Sequence, residues 1–192
     1  MQYERASGKG DILRDYFLFI LFTGLRREEA VKLTWDHVDF NSRILTIADT
    51  KNRLTHVLPM SNFLYDLLLC RKSQCTTRYV FPGDGKTGYI VEPRKAMLKI
   101  TAKSGVSFTL HDLRRTFITL AESLDIPAYA LKRLLNHKMN NDVTAGYIVM
   151  DVERLRKPMQ MITDHLMRLM GIKAQLTEVK EEKGLITHEE TT

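Results

Sequence analysis

From Tyr16 to Phe22 the chain runs Tyr-Phe-Leu-Phe-Ile-Leu-Phe without a polar interruption, then breaks on Thr23-Gly24. Residues 11–22 carry acidic side chains near their start and an almost wholly apolar second half. That is the pattern of a helix surrounded by protein, so the fold must be built around it. The run stops far short of the roughly 20 residues that span a bilayer. The start, Met1-Gln2-Tyr3-Glu4-Arg5, lacks the basic region and apolar stretch of a secretory leader, so the expectation is a cytosolic protein with no membrane partner. A hydrophobic content of 44% over 192 residues supplies a core for one ordinary domain and excludes intrinsic disorder.

The other elements follow from local pattern. A short helix is expected over 26–33, with Glu28 and Glu29 in the first turn where the dipole favours negative charge. Residues 39–42 read as a turn. Ile44, Leu45 and Ile47 supply one strand and residues 55–60 another, with 51–54 as the hairpin tip. Ser61 caps a helix carrying Phe63, Leu64, Leu67 and Leu68 at helical spacing. Residues 79–82 are extended and 83–88 form a loop. Further helices are expected over 92–103, 111–123, 127–136 and 141–149, with Pro127 in a first turn. An amphipathic helix follows Asp151 and ends near Gly171. The fold class is α+β, mainly α, with a small antiparallel sheet. Residues 1–172 form the domain, and 173–192 are a charged C-terminal tail.

Many chemistries are missing. There is no phosphate-binding Gly-x-x-x-x-Gly-Lys-Ser/Thr loop, no dinucleotide Gly-x-Gly-x-x-Gly after a strand, and no His-Glu-x-x-His pair. Gly83-Asp84-Gly85-Lys86-Thr87-Gly88 has the wrong spacing for a nucleotide loop, and no long helix follows it directly. The six histidines show no metal-pair spacing, and Cys70 and Cys75 read as two reduced thiols, so neither a metal nor a cofactor is expected. The chain carries +6, with an isoelectric point near 9.3. From Lys173 onward three lysines face five glutamates, so the residues before it hold 26 basic against 18 acidic side chains, or +8. A basic body with an acidic end suggests a polyanionic partner.

Basic and polar residues stand at the borders of elements: Arg26 after Thr23-Gly24, Lys51 at the hairpin tip, His111 and Arg114 at a helix start, then His137 and Tyr147. Singly, each has a plain explanation as a solvated or dipole-facing charge at an element end. Together they fall into ordered blocks. Thr23-Gly24-Leu25-Arg26-Arg27-Glu28-Glu29, His111-Asp112-Leu113-Arg114-Arg115-Thr116-Phe117, Leu134-Leu135-Asn136-His137-Lys138 and Thr144-Ala145-Gly146-Tyr147 resemble the signature blocks of the tyrosine recombinase, or phage integrase, catalytic domain. Thr50-Lys51-Asn52-Arg53, followed by Val57-Leu58-Pro59, is similar to that family's hairpin lysine and the strand after it.

The resemblance covers about residues 11–152 and implies the DNA breaking-rejoining enzyme fold, helical with a three-stranded antiparallel sheet. It implies that Arg26 and Arg114 clamp the phosphate, that Lys51 is the general acid, that His111 and His137 fill the two histidine positions, and that Tyr147 is the nucleophile. Glu29 matches the family's supporting acidic position. Asn136 stands where the family usually has glycine, a substitution that asparagine's tolerance of left-handed backbone makes mild. No counterpart of the family's N-terminal DNA-clamping domain is expected within these residues.

These residue types suit the reaction. Attack on a phosphodiester builds negative charge on the non-bridging oxygens, and arginine's planar fork hydrogen-bonds two oxygens without losing its proton. By analogy with oxyanion donors, removing either arginine should cost about 10²- to 10³-fold in rate. A tyrosine phenol, with a pKa near 10, needs a base or a positive field, which Arg114 and the histidines can supply. The departing 5′-oxygen needs a proton, and lysine can give one where arginine cannot. Of the other tyrosines, Tyr16, Tyr65 and Tyr79 lie in apolar surroundings, Tyr129 is expected to pack on its helix, and Tyr3 and Tyr89 have no basic set around them. Burial is the rival reading for Tyr147, beside Ile148 and Val149.

Beyond the site, Lys132, Arg133 and Lys138 are candidate DNA contacts. Lys95 and Lys99, with Lys103, recur at i, i+4, i+8, a row that either follows phosphates or is simply solvated. The resemblance implies duplex DNA as substrate, a homotetramer on DNA, accessory DNA-bending or directionality proteins, and nucleoid association when bound. The stretch 155–170 is long enough to pack on a neighbouring subunit or to complete its own core. The function expected is strand cleavage and rejoining through a 3′-phosphotyrosyl intermediate, in integration or excision of a phage or genomic island. The alternatives are a topoisomerase-like relaxer using the same covalent step, a catalytically silent DNA-binding module, and a metal-dependent nuclease, which would need clustered carboxylates.

Overall fold

A computed structural model describes residues 9–48, 50, 55–136 and 152–172. The apolar run lies in α1 (Lys9–Thr23). Tyr16, Phe19, Ile20 and Phe22 are all at most 1% exposed, so the expectation of a buried helix holds. Around α1 come α2 (Arg27–Val31), a 3-10 turn (Trp35–His37), β1 (Val38–Asp39), β2 (Ile44–Ile47), β3 (His56–Pro59), α3 (Asn62–Gln74), α4 (Arg94–Ser104), α5 (Leu110–Ser123), α6 (Ala128–Leu134) and α7 (Val152–Leu169). The fold is mainly α. The sheet is antiparallel in the order β1-β2-β3, and its last ladder pair joins Ile47 to His56.

The most extensive packing on α1 comes from α5, whose Phe117 and Ala121 are fully buried. Phe81 closes the other side, its ring 5.3 Å from Tyr16 and 5.1 Å from Phe19. The buried pair Asp15–Arg71, at 3.2 Å, ties α1 to α3, and Arg71 Nε also donates to the Val80 carbonyl. In α7, Leu155, Met159, Ile162 and Leu166 fall on one face and are buried against β3, α6 and α5 of the same chain. The stretch that sequence left open between its own core and a neighbour therefore completes its own core over residues 152–169. No helix among the described residues is long and apolar enough to cross a membrane.

Element ends depart from expectation for local reasons. Ser61 caps α3 as expected, its Oγ accepting from Leu64 N–H. The helix expected over 26–33 is only Arg27–Val31, because the chain turns at Lys32 to bridge Thr34 with Tyr79. The helix expected from 92 begins after Pro93. The one expected from 111 begins at Leu110, behind a capping box in which Thr109 Oγ accepts from Asp112 N–H and the Asp112 carboxylate accepts from Thr109 N–H. Pro127 is the N-cap of α6 rather than a first-turn residue, and α6 stops at Leu134, not 136. Asn136 has φ 51, the left-handed conformation anticipated for it. Asp39 belongs to β1, and its carboxylate also accepts the Asn41 and Ser42 N–H groups, which makes the turn. The helix expected over 141–149 and the tail 173–192 lie outside the described residues.

Candidate active site

Gly24 ends α1 with φ 65, and a Cβ there would stand 2.5 Å from the Phe117 ring. The left-handed turn throws Arg26 to the start of α2. Its backbone N–H donates to Glu29 Oε2 at 2.9 Å, and its Nη1 donates to Glu29 Oε1, also at 2.9 Å. Glu29 is 3% exposed, so this carboxylate sits among protein atoms and holds Arg26 at both backbone and side chain.

Arg114 reaches the same place from α5. It is buried, its Nη1 donates to the Gly24 carbonyl, and its Nη2 donates to the Leu135 carbonyl at 3.1 Å. Burial pushes its pKa down to about 10, Arg26 pushes the same way, and Glu29 opposes both. Arg114 is still a cation at neutral pH, and the two guanidinium groups share one compensating carboxylate.

Arg26, Glu29 and Arg114 line a cleft of about 800 Å³ with His111, Thr50, Lys32, Arg94 and Thr109. His111 is exposed in the first turn of α5, three residues before Arg114 and so on the same helix face. Thr50, next in sequence to Lys51, is buried and lines the cleft, which puts the base of the hairpin at its wall. Lys51, His137, Lys138 and Tyr147 lie outside the described residues.

The remaining sequence candidates are dispersed. Lys95 and Lys99 are exposed on α4 with Lys103, and Lys132 is exposed on α6. Arg133 is half-buried. Its guanidinium lies 5.4 Å from the Tyr129 ring centre with Nε and Nη2 buried, and its carbonyl accepts a hydrogen bond from His56. Tyr16 is buried, its hydroxyl hydrogen-bonds the Arg27 carbonyl, and burial pushes its pKa above the ordinary phenol range, which removes it as a nucleophile. Sequence reasoning did not single out His56, which is 6% exposed, and took Thr50 only as the residue that opens the hairpin-lysine block. The usable signal for His56 was a polar residue sharing the inward strand face with Leu58.

Fold and cleft together define a helical domain that gathers two arginines, a supporting carboxylate and a histidine around one cleft. The chain belongs to the phage integrase family, whose sequence profile matches residues 6–154. It is 30% identical over 163 residues to prophage integrase IntF of Escherichia coli (strain K12), covering 82% of this chain and 35% of that protein. It is 28% identical to tyrosine recombinase XerA of Thermococcus onnurineus (strain NA1) over 159 residues, covering 75% of this chain and 54% of XerA. The chain thus spans about a third to a half of the length of the curated relatives it matches. Among solved structures, the integrase from mycobacterium phage Brujita superposes with TM-score 0.64 at 20% identity, over 82% of this chain and 53% of that one. The XerH site-specific recombinase bound to its difH substrate gives 0.57 at 20% identity, over 71% and 42%.

Proposed function

We propose that this chain is the catalytic part of a site-specific DNA recombinase that cuts and rejoins duplex DNA through a covalent 3′-phosphotyrosyl intermediate, without metal or cofactor. The observation that carries the reading is the convergence of Arg26 and Arg114 on one cleft. Arg114 hydrogen-bonds the carbonyl of Gly24, 90 residues away in sequence, and Glu29 orders Arg26 from below. Two arginines fixed by protein acceptors bind a phosphodiester and stabilise the charge that grows in its five-coordinate transition state. Tyr147 attacks phosphorus and forms the P–O bond. The bond to the 5′-oxygen breaks, and Lys51 delivers the proton that this oxygen takes. His111 and His137 hold or exchange protons around the phosphate and the phenol. Resealing reverses the steps, so the bond energy stays in the phosphotyrosine.

The substrate is duplex DNA, and the assembly is a homotetramer on two sites, assisted by DNA-bending or directionality proteins. The biological role is integration or excision of a phage or genomic island, in the cytoplasm at the nucleoid. Residues 1–172 supply the catalytic domain, and 173–192 a charged tail. Lys95, Lys99, Lys132, Arg133 and Lys138 are the candidate outer contacts. Of these, Lys95, Lys99 and Lys132 are exposed, which supports the reading, while Arg133 is half-buried over the Tyr129 ring.

The test is covalent trapping. Protein is incubated with a pool of nicked duplexes of randomised sequence, quenched in denaturant, and the DNA that stays attached is sequenced. The expected result is protein joined to DNA at a recurring site, lost in Tyr147→Phe while DNA affinity is kept. Cleaved duplex recovered wholly free of protein would overturn the reading.

A further inference from the structure

His56 opens β3, five residues after Lys51, and makes with Ile47 the last pair of the β2–β3 ladder. Its side chain is buried on the same strand face as that of Leu58. There its Nε2 lies 3.0 Å from the carbonyl oxygen of Arg133, near the end of α6. A carbonyl can only accept, so Nε2 carries the proton and the neutral ring presents a lone pair at Nδ1. That Nδ1 is buried and meets no hydrogen-bond partner among the described residues. Burial pushes the ring's pKa down to about 4, with Arg114 and Arg26 adding to the shift and Glu29 opposing it. A leucine at this position would avoid the desolvation of an imidazole beside two cations, but it would leave the Arg133 carbonyl without this donor.

The hydrogen bond has a particular geometry of consequence. Two residues beyond Arg133, the Leu135 carbonyl receives Arg114 Nη2, and the chain then turns through left-handed Asn136 toward His137. His56 and Arg114 therefore grip the same helix end, one from the sheet and one from α5. If that end shifts, Arg114 loses one of the two carbonyls that aim its guanidinium. We propose that His56 is a positioning residue for the phosphate clamp: its Nε2–H bond to Arg133 fixes the end of α6 so that the Leu135 carbonyl holds Arg114 in its reactive orientation. The proposal rests on the strand-cleavage reading above.

The test uses a nicked duplex carrying a site recovered by covalent trapping, with three readouts: rate of adduct formation, DNA affinity and thermal unfolding. Gln places an amide N–H at the reach of the imidazole Nε2, whereas Leu does not. His56→Leu should unfold cooperatively and bind DNA as the parent does, but form adduct about tenfold more slowly, and His56→Gln should recover most of that loss. Because the effect passes through Arg114, adding His56→Leu to Arg114→Lys should slow the reaction by less than about twofold further. Full rates in His56→Leu, no recovery with Gln, or a tenfold loss repeated unchanged on the Arg114→Lys background would each overturn the proposal alone. A parent protein that forms no adduct with any duplex would overturn the cleavage reading and this proposal with it.

Discussion

The Glu29 carboxylate takes hydrogen bonds from both the backbone N–H and the guanidinium of Arg26, each at 2.9 Å. One nearly buried anion thus sets where α2 begins and where its first cation points. Glu29→Ala strips both acceptors and leaves Arg26 and Arg114 facing each other with less compensation. Charge-assisted hydrogen bonds of this kind contribute about 1.5–3 kcal/mol each, less where one partner is partly solvated as Arg26 is. The expected outcome is a loss of about 2 kcal/mol in urea denaturation and a drop in adduct formation of about tenfold or more. Glu29→Gln keeps one acceptor and should fall between. Unchanged stability in Glu29→Ala would remove the supporting role assigned to it.

Gly24 combines a left-handed backbone, a close ring contact and an acceptor for Arg114. Its φ of 65 suits glycine, and its carbonyl accepts from Arg114. A methyl group there would meet Phe117 Cδ1 at 2.5 Å, and that ring is wholly buried and cannot step aside. Left-handed strain of about 1–2 kcal/mol adds to overpacking of about 1–3 kcal/mol. Gly24→Ala should therefore lower stability by about 3 kcal/mol, read from the urea midpoint, and slow cleavage further than the lost stability alone accounts for.

What could be read from the sequence was local. The apolar run of α1 and the Ser61 cap declare themselves within a few residues, because burial on all sides and a capping oxygen each leave a residue-type signature. The border arginines stood out only as an ordered set. Two features escaped because they depend on distant chain. Arg114 is aimed by the carbonyls of Gly24 and Leu135, and a backbone acceptor has no residue type to recognise. His56 gains its role from a carbonyl 77 residues away. Arg133 carries its guanidinium over Tyr129, four residues earlier on α6, an i, i+4 pair that helix spacing itself offers. Pattern ran past the true end of α6, since only the left-handed backbone at Asn136 shows where the helix must stop.

Acid sensitivity should trace to His56. Its pKa is pushed down to about 4 in the folded protein from an ordinary 6.5, and the groups around it are Glu29, Arg26, Arg114 and the Arg133 carbonyl. Between those two values the unfolded chain takes up a proton that the folded chain refuses. Stability is therefore complete above pH 6.5, declines as pH falls toward 4, and loses nothing more from this group below that. The integrated loss is about 3 kcal/mol. Urea titrations across this range should show the decline in the parent protein and a markedly flatter profile in His56→Gln. Parallel profiles would assign the acid sensitivity elsewhere.

Lys51 is next in sequence to Thr50, a buried residue at the cleft wall, and is proposed above as the donor of the leaving oxygen's proton. A lysine acting as an acid differs from one acting as a charge in what the leaving group demands. Lys51→Ala should slow adduct formation on ordinary DNA by about 10²- to 10⁴-fold, the usual contribution of a positioned proton donor. Replacing the 5′-bridging oxygen by sulfur changes the requirement, since a thiolate departs without a proton. On that substrate Lys51→Ala should approach the parent rate, whereas Arg26→Ala and Arg114→Ala should stay slow, because the non-bridging oxygens still gather charge. The comparison is made on identical nicked duplexes differing in that one atom, read as covalent adduct against time. Equal impairment of Lys51→Ala on both would show that the lysine binds the phosphate rather than protonating the departing strand.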